Sequence, residues 1–186
     1  ELSLAGGVEN EGYPFVNSEV YFTDKGTPYL RSPGVALIAK STVNLNGTQA
    51  FLNGFSGELE FSDYLSDPTA LDSAAQLTKF AGQVCYASFG PKRTWNEDAL
   101  GYFANIVASG HGSVLEHFNA SLLWWGVSRT LTHELVRHRA GMGYSQLSQR
   151  YVSGKVLRFV ERPEYQTDEF LHRKFEERID RAGEEY

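Results

Sequence analysis

Hydrophobic and polar positions along the chain predict a mixture of helices and strands. Residues 72–86 and 96–109 carry apolar side chains at helical spacing, and Asp72 and Asn96 are placed to cap the two helices. The apolar face of the first helix includes Cys85. Because nothing basic adjoins Cys85 in the sequence, we expect it to be a small buried core residue rather than a nucleophile.

A third helix is predicted to begin after Ser128 and to run through Arg139, where Gly141 and Gly143 would end it. Short apolar runs predict strands, and a charged amphipathic helix is predicted at 168–185, after Pro163. The predicted strands are a short piece at 19–23, a buried strand at 35–39, and further strands at 118–125 and 156–160. The elements lack a regular β-α-β rhythm, so we expect an α+β or irregular α/β fold with a mixed sheet and packed helices.

The first 34 residues differ in composition from the rest of the chain. Residues 1–34 are rich in Gly, Asn, Pro and Ser, which predicts an irregular N-terminal arm ahead of one domain at 35–186. The chain begins with Glu1 rather than Met and stops at Tyr186, inside a predicted helix. We therefore expect a fragment of a longer protein, with the domain incomplete at its C-terminus.

Composition places the chain among ordinary globular proteins. Its 186 residues are 41% hydrophobic and 22% charged, which is enough for one domain with a core. The single cysteine excludes an internal disulfide and is typical of a reducing compartment such as the cytoplasm. No apolar run of about 18 residues predicts a membrane span, and residues 1–12 lack the pattern of a signal peptide.

Positive charge is concentrated in one segment of an acidic chain. The net charge is −6, yet residues 129–150 contain four arginines and one acid, Glu134. This contrast favours an anionic small ligand over a general affinity for polyanions. Arginine suits phosphate in particular, because its planar guanidinium donates two parallel hydrogen bonds.

Three ionisable side chains are predicted to share a face of the third helix. Glu134 lies three residues before Arg137 and four before His138. The alternative interpretation is a solvated helix face with an ion pair. His133 and His138 are five residues apart, which separates them by about 140° on a helix. A zinc helix needs histidines at i and i+4, so we predict no metal site.

The glycines after this helix suggest a phosphate cradle. Gly141 and Gly143 permit close approach of the backbone to a ligand, beside hydroxyls and arginines. The segment is not a P-loop, which has a lysine after its second glycine, and it lacks the three-glycine spacing of a dinucleotide fingerprint. Arginines near Trp124, Trp125 and Tyr151 allow a nucleic-acid interpretation, which the overall acidity weakens.

A combination of motifs gives the most specific signal. Arg137-His138-Arg139 is followed, after eight residues, by Ser148-Gln149-Arg150. Upstream lie the block GHGSVLEH at 110–117 and the segments at 127–129 and 132–135. Over about residues 80–151 the chain resembles the flavin-dependent thymidylate synthases, whose signature is Arg-His-Arg, a spacer and Ser-x-Arg. The family's usual spacer is seven residues, so the eight seen here depart from its pattern and leave the path of the loop at 140–144 open.

The resemblance implies a reaction, its ligands and its site residues. It implies transfer of a one-carbon unit to C5 of dUMP from methylenetetrahydrofolate, with FAD and NADPH, in a homotetramer whose active sites draw on several subunits. The residues it assigns to the reaction itself are Arg137, His138 and Ser148. The residues it assigns to FAD are His111, Ser113, Arg137, His138, Arg139 and Gln146. The residues it assigns to dUMP are Glu134, Arg137, Gln146, Leu147, Ser148, Gln149 and Arg150.

Three classes of protein remain open at this point. The first is the flavin-dependent enzyme, cytoplasmic, with small-molecule partners and neither a membrane nor a stable nucleic-acid partner. The family's C-terminal part carries an arginine that contacts dUMP and further flavin contacts, which we expect this chain to lack. The second is a nucleotide- or nucleic-acid-binding module that keeps the pocket without catalysis, and the third is a purely structural relative.

Overall fold

The structure is a computed structural model that describes residues 13–52, 71–153 and 158–185. Helices combined with small sheets confirm the α+β prediction. The chain divides into two compact units: residues up to 38 with those from 122 onward, and residues 39–121. The predicted boundary between residues 34 and 35 stays a prediction. Regular strands nevertheless occur within 13–34, where the sequence suggested irregular structure.

The first three-stranded sheet has the order β1-β4-β5. Its strands are β1 (Phe15–Val16), β4 (Gly34–Lys40) and β5 (Ala120–Trp125). The strand predicted at 35–39 is confirmed, and that predicted at 118–125 is confirmed from residue 120 onward. Strand β1 is antiparallel to β4. A Cβ atom at Gly34 would lie 2.1 Å from Cε2 of Trp125, so only glycine fits where β4 meets this ring. The prediction that the 35–39 strand is buried is wrong, because residues 35–37 are only half-buried and Ile38 is 56% exposed.

The second sheet has the order β2-β3-β6 and is mixed. Its strands are β2 (Val20–Phe22), β3 (Pro28–Leu30) and β6 (Phe159–Val160). Strand β2 is antiparallel to β3, and β3 is parallel to β6. The strand predicted at 19–23 is therefore confirmed. That predicted at 156–160 is confirmed at its last two residues, while 156 and 157 lie outside the described residues.

The described part of the chain contains six α-helices: α1 (Thr48–Leu52), α2 (Ser73–Tyr86), α3 (Ala99–Ala108), α4 (Arg129–Leu135), α5 (Pro163–Gln166) and α6 (Glu169–Glu185). Short 3-10 segments occupy Gly90–Lys92, Asn96–Asp98 and Gly112–His117. No helix among the described residues is both long and apolar enough to cross a membrane.

Side-chain caps explain where several helices begin. The Oδ1 atom of Asp72 accepts a hydrogen bond from the amide of Ala75 at 2.8 Å, as predicted for α2. Asp168 accepts from the amides of Phe170 and Leu171 and so starts α6. The cap predicted at Asn96 is wrong. This residue is buried in a 3-10 turn ahead of α3, and its side-chain oxygen accepts from Nζ of Lys79 at 2.8 Å.

The face of α2 that packs inward differs from the prediction, and Cys85 is exposed rather than in the core. The buried positions of α2 are Thr78, Lys79, Gly82 and Gln83. A Cβ at Gly82 would lie 2.0 Å from the hydroxyl of Tyr102, so the missing side chain lets Tyr102 come close. The predicted inner face of α3 is correct at Ala99 and Ile106 but wrong at Leu100 and Val107, which are exposed.

The second unit has a small apolar cluster. Leu45 and Phe89 are buried, and Val43 and Phe80 pack against them. The ring centroids of Phe80 and Phe89 are 5.9 Å apart. Phe80 is thus the member of the predicted apolar face of α2 that reaches this cluster.

A buried carboxylate lies at the centre of the first unit. Glu161 follows β6 and its side chain is completely buried. Its Oε2 accepts a hydrogen bond from Nε of Arg31 at 3.0 Å, and its Oε1 lies 2.6 Å from Nδ1 of His172 on α6. The guanidinium of Arg31 also lies 4.6 Å from the ring centroid of Tyr21. The Glu161 cluster, defined as Arg31, Glu161 and His172, therefore joins the segment after β3 to helix α6.

Apolar and polar contacts surround this cluster. Tyr29 and Leu30 are buried beside it, and Ile179 of α6 is also buried. Burial is the main cause that raises the pKa of Tyr29, so the phenol keeps its proton and donates to Oε1 of Glu176 at 3.2 Å. Thr23 makes a further link to α6 through a 2.6 Å hydrogen bond to Asp180.

Replacing the buried carboxylate should be among the most destabilising changes in this unit. Glu161→Ala leaves Arg31 without its carboxylate, and we expect a loss of about 3 kcal/mol in the free energy of unfolding. Glu184→Ala is the matched control, because its ion pair with Lys25 is exposed, is screened by water and should contribute little. Urea denaturation measures both variants. Equal losses would contradict a central role for Glu161.

Candidate functional site

Helix α4 leads into the arginine-rich segment. The Ser128 hydroxyl accepts a hydrogen bond from the amide of Leu131 at 3.1 Å, which confirms the predicted cap. The helix ends at Leu135, four residues before the predicted end. The reason is that the amides of Arg137 and His138 bond to the carbonyls three residues back, which tightens the last turn and closes the helix. Gly141 and Gly143 therefore do not end it.

The segment after α4 is a loop from 136 to 150, here called the signature loop. The amide of Met142 donates to the carbonyl of Arg139 at 3.2 Å and closes a turn. Gly141 occupies the left-handed region of this turn with φ +71°, a conformation that favours glycine. A Cβ atom at Gly141 or Gly143 would meet nothing within 4 Å, so the backbone is open to a ligand here.

Three side chains hold the signature loop in place. The Arg129 guanidinium donates to the carbonyl of Leu147 at 2.9 Å. The carboxamide nitrogen of Gln146 bonds to the hydroxyl of Thr132. The Tyr144 hydroxyl donates to the carbonyl of His138 at 2.9 Å. The loop is thus tied to α4 at Gln146 and Leu147 and closed on itself by Tyr144, which leaves other side chains available to a ligand.

Glu134 and Arg137 lie together as predicted. Their side chains form an ion pair with Nη1 3.6 Å from Oε2, and both are exposed. His138 does not share their helix face, because α4 has already ended. The expected triad is therefore a pair, and the contribution of His138 shown here is a backbone carbonyl that accepts from Tyr144.

The second half of the signature forms a compact turn. The Ser148 hydroxyl accepts from the amide of Arg150 at 3.2 Å, and the Ser148 carbonyl accepts from the amide of Val152. The guanidinium of Arg150 lies 5.6 Å from the centroid of the Tyr151 ring. Ser148 thus fixes the backbone of Arg150, while the aromatic ring supports its charged group.

Arg139 is the most available cation of this segment. Among the described residues its guanidinium has neither an ion pair nor a hydrogen bond, whereas Arg129 and Arg137 have partners. The exposed charge of Arg139 therefore suits an anionic group from outside the chain. The described residues contain no group of three His, Cys, Asp or Glu side chains that could hold a metal ion.

His111 and Ser113 belong to the second unit. His111 precedes the 3-10 segment Gly112–His117, and both residues are exposed. The Tyr86 ring stacks on His111 with centroids 6.2 Å apart and an interplanar angle of 25°. The Tyr86 hydroxyl lies 3.5 Å from Nδ1 of His111. The end of α2 therefore helps to orient this imidazole.

The residues that pin the signature loop were not predicted from the sequence. Thr132 and Tyr144 received no role, because their partners are a carboxamide and a backbone carbonyl rather than a charged group. One available signal was the tendency of threonine in a helix to bond a carbonyl one turn back. The Thr132 hydroxyl does so, donating to the carbonyl of Arg129 at 3.0 Å.

Removing the Tyr144 hydroxyl should loosen the loop. We expect Tyr144→Phe to speed hydrogen exchange of the Met142 amide about fivefold, the effect of losing roughly 1 kcal/mol of hydrogen bonding. Tyr151→Phe is the matched control, since it makes the same chemical change and keeps the ring beneath Arg150. Exchange followed by mass spectrometry tests this, and equal protection in Tyr144→Phe and the unchanged protein would contradict it.

Known proteins resemble this chain over the part that contains the signature loop. A family model described as thymidylate synthase complementing protein (Thy1) matches residues 68–186. The flavin-dependent thymidylate synthase of Mycobacterium tuberculosis (strain ATCC 25618 / H37Rv) is 40% identical over 130 residues, which cover 67% of this chain and 52% of the relative. That of Mycolicibacterium vanbaalenii is 41% identical over 118 residues, covering 63% and 47%.

The chain spans about half the length of these curated relatives. The family model covers well over half of the chain and includes the whole of α4 and the signature loop. The chain therefore belongs to the thymidylate synthase complementing protein family.

Proposed function

We propose that the protein makes dTMP from dUMP, with methylenetetrahydrofolate as the carbon donor and with FAD and NADPH supplying the reducing power. The observation that carries this proposal is the signature loop, which presents exposed arginines on a pinned backbone. The comparisons support the proposal, because the matched relatives are named flavin-dependent thymidylate synthases.

The chemistry of the exposed groups fits a flavin nucleotide. FAD carries phosphates, and guanidinium groups such as that of Arg139 bind phosphate oxygens through paired hydrogen bonds. Open backbone at Gly141 and Gly143 would allow such a group to come close. The residues proposed to hold FAD are His111, Ser113, Arg137, His138, Arg139 and Gln146. When bound, FAD would supply the hydride of the reaction.

The second half of the loop suits a nucleoside monophosphate. In this proposal Arg150 binds the dUMP phosphate, and the turn closed by the Ser148 hydroxyl sets its position. The full proposed set for dUMP is Glu134, Arg137, Gln146, Leu147, Ser148, Gln149 and Arg150. Holding substrate and cofactor in register reduces the entropy lost on reaching the transition state.

The residues proposed to act in the reaction itself are Arg137, His138 and Ser148. The ion pair with Glu134 orients the Arg137 guanidinium, which would stabilise negative charge that develops on the uracil as C5 becomes nucleophilic. His138 lies between two arginines and contributes to the electrostatic field of the site. Cys85 has no part in this mechanism.

We also propose a homotetramer in the cytoplasm, with active sites completed by neighbouring subunits. Exposed apolar side chains support association, because large apolar patches mark interaction sites. Leu100 and Val107 lie on α3 and are 87% and 67% exposed. The single cysteine is compatible with a reducing compartment.

Flavin binding and product formation together test the proposal. We expect the full-length protein to bind FAD and to form dTMP from dUMP, methylenetetrahydrofolate and NADPH. Arg137→Ala should lose nearly all turnover, and Cys85→Ala should retain it. Binding of FAD and dUMP without dTMP would favour the binding module instead. A protein whose thermal midpoint neither ligand raises would be a structural relative.

The proposed phosphate contact makes a narrower prediction. Arg150→Ala should weaken dUMP binding by about 2–3 kcal/mol, the scale of a charge-assisted hydrogen bond, and should weaken FAD binding less. Arg181→Ala is a control for the loss of one positive charge, because Arg181 is an exposed residue of α6. Calorimetric titration of both ligands decides the matter. Equal losses for dUMP and FAD would contradict the role given to Arg150.

A further inference from the structure

Two hydrogen bonds in series connect Gln146 of the signature loop to helix α4, and both donate toward the helix. The Thr132 hydroxyl donates to the carbonyl of Arg129 at 3.0 Å. The carboxamide of Gln146 then bonds to the same hydroxyl oxygen. The series ends at the backbone carbonyl of Arg129, which can only accept a hydrogen bond. The direction of donation is therefore fixed at that end.

This direction determines which side of the Gln146 carboxamide faces the helix. A hydroxyl group has one proton, and that of Thr132 is committed to the Arg129 carbonyl. The oxygen of Thr132 can therefore only accept, so Gln146 must turn its NH2 group toward it. The carboxamide oxygen, Oε1, is left facing away. Among the described residues it accepts no hydrogen bond and is available to a ligand donor.

We propose that Thr132 is a positioning residue that presents Oε1 of Gln146 to an imide N–H of the bound ligand. This inference rests on the proposed function, in which Gln146 touches both dUMP and FAD. Uracil and the flavin ring each carry such a group, an N–H between two carbonyls. Cytosine has an unprotonated nitrogen at the same position. The lone pair of that nitrogen would face the lone pairs of Oε1 of Gln146, and the two acceptors would repel each other.

The arrangement therefore gives Thr132 a role in specificity. A carboxamide free to rotate could turn its NH2 group toward cytosine and accept either base. A carboxamide held by Thr132 cannot do so without breaking its hydrogen bond. The hydroxyl, although it touches no ligand, would thus favour uracil nucleotides over cytosine nucleotides.

The test compares Thr132→Val, which removes the hydroxyl and keeps the shape, with Thr132→Ser, which keeps the hydroxyl. Calorimetry on the full-length protein measures the affinities for dUMP and dCMP. We expect Thr132→Val to reduce the preference for dUMP about tenfold, and Thr132→Ser to hold it within about twofold. A merely structural role would weaken both nucleotides equally. Should Thr132→Val not fold, Thr132→Ala, which favours the helix, takes its place.

A second measurement identifies the source of the imide. If it belongs to the flavin, Thr132→Val should lower FAD affinity about tenfold, leave the affinity for an N3-methylated flavin unchanged, and keep the dUMP preference. If Thr132→Val keeps both the dUMP preference and the FAD affinity, the inference is wrong while the proposed function stands. An unchanged protein that binds neither dUMP nor FAD would contradict the proposed function itself, and the inference with it.

Discussion

The first unit depends on neutralising the charge of one buried carboxylate. A carboxylate removed from water is strongly disfavoured unless it is paired and hydrogen-bonded. Glu161 meets this requirement with Arg31 on one side and His172 on the other. Its two partners come from opposite ends of the sequence, so the requirement brings together the segment after β3 and helix α6. Residues 13–34 are consequently part of a core rather than an appendage to one.

The signature loop follows a different physical rule. Its fixed points are backbone carbonyls and one carboxamide, bonded by Arg129, Thr132 and Tyr144. This arrangement restrains the loop without consuming Arg139, whose charge remains exposed. A site for anionic ligands needs such a division, because a guanidinium already committed to a carboxylate has fewer donors for phosphate.

Periodicity and capping chemistry predicted most of the regular structure. Asp72 and Ser128 were recognised as caps because their short polar side chains precede amphipathic stretches. The predicted inner face of α2 was wrong, because a count of apolar residues ignores the space that Gly82 leaves for Tyr102. It also ignores the partner that Asn96 gives to a completely buried Lys79. Both errors arise from contacts with another element, which periodicity within one helix does not contain.

Part of the candidate site was likewise predicted from the sequence, and part was not. Motif spacing identified the loop and its charged residues, since family signatures record the identity of side chains. The end of α4 at Leu135 could not be predicted, because the tightened turn is a property of the backbone. The roles of Thr132 and Tyr144 were not predicted for a related reason. Their hydroxyl groups bond to main-chain or amide partners, which leave no charge pattern in the sequence. The importance of Glu161 was not predicted, because its partner Arg31 lies 130 residues away in the sequence.

That separation has a consequence for the order in which the protein is made. Strands β2 and β3 leave the ribosome early, but Glu161 lies 130 residues after Arg31, and Asp180 lies 157 residues after Thr23. The second unit is contained within residues 39–121 and has all its own chain once residue 121 has emerged. Contacts of long sequence separation form slowly, because the loop-closure entropy is lost before they compensate for it. The second unit can therefore fold during synthesis, while the contacts of Thr23 and Arg31 form only after Glu161 and helix α6 have been made.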